Sequence, residues 1–115
     1  SFVACKSLAF MRVNTRFQED TYKLNMQKSA QFRALASELG TSASALAIAW
    51  LLSQGEHVVP IPGTRSVSHL DELVSGAGLS LSPTDLEAIE QALPVGWCCG
   101  DRYTADQWRG PERYC

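Results

Sequence analysis

The stretch His57-Val58-Val59-Pro60-Ile61-Pro62-Gly63-Thr64-Arg65-Ser66 constrains this chain more than any other. Val58, Val59 and Ile61 are β-branched and suit a pleated, half-buried surface, so the run predicts one short strand. Pro60 and Pro62 each lack an amide donor, which restricts pairing and ends the strand near Pro62. Gly63 is expected to turn the backbone through a conformation that other residues resist. Thr64, Ser66 and Ser68 carry oxygens able to cap a helix beginning near Val67. The free amides of such a helix start, with Arg65 beside them, suit an anion. An ordinary strand-to-helix connection with an exposed arginine accounts for the same residues, because the stretch is not a full glycine-rich phosphate loop.

Helical patterns flank it on both sides. From Tyr22 onward, Leu24, Phe32, Leu35 and Leu39 fall near one stripe, while Lys23, Lys28, Gln31, Arg33 and Glu38 face away. Gly40 is the expected stop. Ser42 caps a second helix, from about Ala43 to Gln54, which Gly55 ends. Leu46, Ile48, Trp50, Leu51 and Leu52 go nearly all round it, so it should be buried on more than one side. A third helix from Val67 to Val74 presents Leu70, Leu73 and Val74, and Ser75-Gly76-Ala77-Gly78 is expected to break it. Ser82-Pro83-Thr84-Asp85 opens the last helix with a cap, a proline in the first turn and a capping-box-like acid. That helix runs to about Leu93, with Leu86, Ile89 and Leu93 inward and Pro94 beyond its end. Residues 1–21 read as an irregular lead-in, a loop with one helical turn in which Phe2–Cys5 has the composition for a second short strand, and residues 95–115 as an irregular tail. The expectation is a single partial domain over 1–115, mostly α with one or two short strands.

Composition narrows the function classes. The chain has 115 residues, 45% of them hydrophobic, enough for one small core. A formal net charge of −2 leaves no basic excess to neutralise a phosphate backbone. Ala34 to Leu46 has the look of a helix-turn-helix with Gly40 at the turn. Its second helix opens with Ser42, Ala43, Ser44 and Ala45, however, and lacks the Arg, Lys, Asn or Gln that read base edges. An αα-hairpin fits better, and no nucleic-acid partner is expected. The apolar run Ala43 to Leu52 is far short of the roughly 20 residues of a membrane span, and no signal peptide opens the chain. The chain starts at Ser1, as a processed or truncated product would. Its four cysteines, Cys5, Cys98, Cys99 and Cys115, have the spacing of neither a secreted disulfide scaffold nor a C-x-x-C metal or redox site. They read as free thiols of a cytoplasmic protein, with no metal.

Ala45-Leu46-Ala47-Ile48-Ala49-Trp50-Leu51-Leu52, followed by Val58-Val59-Pro60-Ile61-Pro62-Gly63-Thr64-Arg65, resembles the C-terminal third of an aldo-keto reductase. Arg16-Phe17-Gln18, Leu70-Asp71-Glu72, Leu81-Ser82-Pro83 and Gly100-Asp101-Arg102-Tyr103 extend the likeness over about residues 16–103. It is strongest to the bacterial branch with an Ile-Pro-Gly-Thr-Arg segment at its last strand. The resemblance implies the C-terminal part of a (β/α)8 barrel, an α/β fold, in an oxidoreductase that uses NADPH to reduce aldehydes or ketones to alcohols. It makes Val58–Ile61 the eighth strand and Val67–Val74 the helix after it, where barrels of this type often hold a phosphate.

The resemblance assigns Gly63, Thr64 and Arg65 to the 2′-phosphate of the cofactor, and Glu72 to its adenine end. His69 stands where the family usually has Arg, Gln or another long polar side chain near that phosphate, and Leu73 where an Asn often contacts the adenine. The family's catalytic Tyr, Lys, Asp and His come from the first half of the barrel, and no stretch here matches them. Tyr22, Tyr103 and Tyr114 are outside any such context. A complete barrel needs roughly 250 residues. The chain is therefore expected to be inactive alone, with a small carbonyl compound as substrate of the intact parent. Trp97, Trp108 and the tail would line the mouth of the substrate site or cover apolar surface. The alternative to a cut enzyme is a non-enzymatic helical fragment that self-associates through its orphan strand and apolar helix.

Overall fold

The structure is a computed structural model that describes residues 14–101, 103 and 104. The expected Phe2–Cys5 strand, Arg102, Trp108, Tyr114, Cys5 and Cys115 lie outside the described residues. A 3₁₀ turn at Thr15–Phe17 is followed by α1 (Glu19–Glu38), α2 (Ala43–Ser53), α3 (Val67–Ala77) and α4 (Pro83–Ala92). The chain divides into two compact units, Ser1–Ala30 with Leu93–Cys115, and Gln31–Ala92.

In Gln31–Ala92 the helix ends follow local chemistry. Gly40, at φ 67°, ends α1 in a Schellman arrangement, in which Thr41 N–H reaches Ala36 O at 2.9 Å and Gly40 N–H reaches Ser37 O at 3.1 Å. Ser42 Oγ accepts the Ala45 amide at 3.1 Å and caps α2. At α4 the capping box closes in both directions. Ser82 N–H donates to Asp85 Oδ2 at 2.8 Å, and Asp85 N–H donates to Ser82 Oγ at 3.2 Å. The buried apolar residues are Phe32 and Ala36 of α1, Ala45, Leu46, Ile48 and Ala49 of α2, and Ile89 of α4. Leu46 is fully enclosed.

α2 packs chiefly on α3, and Gly76 sets how closely. A Cβ there would collide with the Ala45 carbonyl oxygen and stand 2.9 Å from both Ala45 Cα and Ile48 Cβ. The expected helix end at Val74 is thus too early: α3 continues to Ala77, the break comes at its C-cap Gly78, and Gly76 is a buried helical residue that lets another backbone come near. Two further expectations fail. Leu24 is 47% exposed rather than part of a buried stripe. Val58–Ile61 forms no strand, and there is no strand among the described residues. A strand is completed by the hydrogen bonds of a neighbouring strand, and no described segment offers them. Val59 and Ile61 are accordingly 77% and 92% exposed.

In the other unit, side chains of the 3₁₀ turn and α1 pin the irregular segment after Pro94. Arg16 Nε donates to Gly100 O at 3.1 Å, and the Thr15 hydroxyl donates to Asp101 O. Asn25 bonds both backbone groups of Cys99, and Lys28 Nζ donates to Trp97 O at 2.9 Å. Asn14, a buried polar residue, accepts the Arg16 amide on Oδ1 at 3.0 Å and so caps the 3₁₀ turn. Trp97 is half-buried.

Candidate functional site

The residues between Pro62 and the first turn of α3 form an open surface cavity of about 710 Å³, lined by Gly63, Thr64, Arg65, Ser66 and His69. Its shape comes from the way α3 starts. Ser66 is the N-cap in extended conformation, φ −121° and ψ 131°, and its Oγ accepts the His69 amide at 3.5 Å. The first intrahelical bond is Leu70 N–H to Ser66 O at 3.0 Å, so the amides of Val67 and Ser68 precede the helical ladder. Thr64 folds over the entry: its Oγ1 accepts the Ser66 amide at 3.2 Å and donates to Ser66 O at 3.3 Å. Ser66 Oγ and Ser68 Oγ share a hydrogen bond at 2.8 Å.

One helix N-terminus, the hydroxyl residues Thr64 and Ser66, and Arg65 thus meet at one solvent-facing concavity. The partial positive charge of the helix end and the planar fork of Arg65 both favour an anion, a phosphate above all. The donor set fits the phosphate end of a nucleotide. Of the residues expected here, Gly63, Thr64, Arg65 and His69 line the cavity. Glu72 does not: it is half-buried one turn further along α3, where its carbonyl accepts the Ser75 hydroxyl at 2.7 Å. Ser66 is the addition. Its capping role was legible in the sequence, but its place in the cavity follows from the cap geometry. Gly63 does not carry the strained backbone expected of it, since its φ is not left-handed and nothing lies within 4 Å of a Cβ built there. Its lack of a side chain matters only to something approaching from solvent.

A sequence profile of the Aldo/keto reductase family matches residues 5–94. Over 93 residues the chain is 37% identical to "Probable aldo-keto reductase 1" of Glycine max, covering 81% of this chain and 27% of that protein. It is 30% identical over 94 residues to "Aldo-keto reductase yakc [NADP(+)]" of Schizosaccharomyces pombe, covering 82% and 28%. It is 26% identical over 93 residues to "Aldo-keto reductase str7" of Strobilurus tenacellus, covering 81% and 28%. No solved structure matches. The chain spans just over a quarter of the length of these relatives, and it belongs to the aldo/keto reductase family.

Proposed function

We propose that this chain is the C-terminal portion of an NADPH-dependent aldo-keto reductase, and that it supplies the part of the cofactor site that grips the 2′-phosphate and adenine end. The observation carrying this is the convergence of Gly63, Thr64, Arg65, Ser66 and His69 around the capped start of α3. In the intact (β/α)8 barrel, NADPH supplies the hydride that reduces an aldehyde or ketone. The chain's own residues bind and orient: Arg65 meets the phosphate charge, Thr64 and Ser66 present hydroxyls, and Gly63 leaves room for close approach. The catalytic Tyr, Lys, Asp and His belong to the first half of the barrel, so this chain alone binds without turning over. We place the protein in the cytoplasm and, by its Ile61-Pro62-Gly63-Thr64-Arg65 segment, in the bacterial branch carrying that segment. Burial of Ala45, Leu46, Ile48 and Ala49 favours α2 as a packing helix over a groove-reading one.

The test is calorimetric titration with two adenosine nucleotides, one bearing a 2′-phosphate and one without it. The 2′-phosphorylated nucleotide should bind at least about tenfold more tightly, and Arg65→Ala should abolish that preference, as for a lost charge-assisted contact of about 1.5–3 kcal/mol. Equal binding of the two, or a preference that survives Arg65→Ala, would refute the assignment.

A second reading rests on a separate observation. Val67, Leu70 and Val74 form an apolar stripe on α3 that is 76%, 49% and 62% exposed, near the exposed Val59 and Ile61 in sequence. Apolar surface of this kind favours self-association of the chain on its own.

A further inference from the structure

Cys98 and Cys99 are free thiols, both half-buried, and the cofactor-site reading makes no use of them. The backbone of Cys99 is clamped to α1 from both sides: its amide donates to Asn25 Oδ1 at 2.7 Å, and its carbonyl accepts from Asn25 Nδ2 at 3.0 Å. Lys28, on the same face of α1, holds Nζ 3.4 Å from Cys99 Sγ while also donating to Trp97 O at 2.9 Å. The ammonium is thus fixed against one sulfur by a second, backbone contact. Cys98 turns its thiol toward the Cys99 carbonyl, at 3.8 Å.

We propose that Cys99 is a peroxide-reactive thiol and that Cys98 captures its oxidised product as a disulfide between the adjacent residues. In the first step the Cys99 sulfur attacks one oxygen of hydrogen peroxide. An S–O bond forms, the O–O bond breaks, and the departing hydroxide takes up the thiol's proton as water. Negative charge passes from sulfur to the leaving oxygen beside the Lys28 ammonium, a cationic surrounding of the sort that marks reactive cysteines. In the second step Cys98 Sγ attacks the Cys99 sulfenic acid. An S–S bond forms, the S–O bond breaks, and the hydroxyl leaves as a second water. The two thiols lose two electrons and two protons, and the peroxide is reduced to water. A disulfide closed between neighbouring residues is strained, so a small dithiol reverses it.

The experiment treats the whole chain with hydrogen peroxide, alkylates the remaining thiols and digests with trypsin. The tryptic peptide Ser66–Arg102 carries both cysteines and neither Cys5 nor Cys115. That peptide should lose two hydrogens and resist alkylation before Cys5 or Cys115 is modified, and a dithiol should restore it. In Cys98→Ser the reaction should stop at a Cys99 sulfenic acid trapped by a cyclic 1,3-dione. Lys28→Met should slow oxidation of Cys99 by roughly tenfold, with Lys28→Arg keeping most of the rate. Oxidation of Cys5 or Cys115 ahead of Cys99, or an unchanged rate in Lys28→Met, would overturn the proposal. None of these readouts depends on nucleotide binding.

Discussion

Two glycines show what a single residue does here and what sequence conveys of it. Gly76→Ala would gain about 1 kcal/mol of helix propensity. It would also place a methyl against the Ala45 carbonyl and 2.9 Å from Ile48 Cβ, where backbone blocks relaxation. Overpacking of this kind costs typically about 1–3 kcal/mol, so the variant should be less stable by roughly 1 kcal/mol in chemical denaturation. Gly63→Ala is the contrast. With open space around it, stability should hold within about 0.5 kcal/mol. Affinity for a 2′-phosphorylated adenosine nucleotide should nevertheless fall by about tenfold, measured by calorimetry, if the bound phosphate approaches the backbone at Gly63. In sequence the two glycines invite opposite interpretations, Gly76 as a helix breaker and Gly63 as a turn. Gly76 is misjudged because its reason lies on α2, some thirty residues away in the chain.

At the scale of elements, what was legible was local. Ser42, Ser66 and Ser82 cap the helices that follow them, and Gly40 ends α1, because each acts on amides or carbonyls within a few residues. Ser82→Ala should cost about 1 kcal/mol of stability through the lost cap. The Ser82 hydroxyl, and then its backbone amide, bond the Asp85 carboxylate and hold that acid below its ordinary value. A depressed value means that Asp85 contributes stability above the unfolded carboxylate range and loses it as pH falls through the folded one. Helicity followed by circular dichroism from about pH 5 to about pH 2 should therefore decline in part through Asp85. Asp85→Asn should show less of that acid-dependent loss. The pins of the C-terminal segment were not legible, since Asn25 and Lys28 meet partners that lie 69 to 74 residues away.

For the whole molecule, the decisive residues are those that a neighbour would cover and that stand exposed among the described residues, Val59 and Ile61 first. The β-branched run Val58–Ile61 carries the composition of a strand, yet pairing is a property of two segments, so composition alone could not deliver it. The exposed stripe Val67, Leu70 and Val74 is a related case: Leu70, Leu73 and Val74 were readable as the apolar face, but Leu73 is half-buried while Leu70 and Val74 stay exposed, because which face α3 turns to α2 depends on Gly76. The exposed stripe leads to a prediction. Sedimentation should show the average mass rising with concentration, and Leu70→Glu should shift that rise to higher concentration. A mass that stays monomeric throughout would remove self-association as an account of these residues.

Amide-resolved NMR during nucleotide titration tests whether the capped start of α3 is a 2′-phosphate site. A 2′-phosphorylated adenosine nucleotide should shift the amides from Gly63 to His69 first, while the same nucleotide without that phosphate leaves them nearly in place. Shifts centred elsewhere, or identical shifts with both nucleotides, would contradict it.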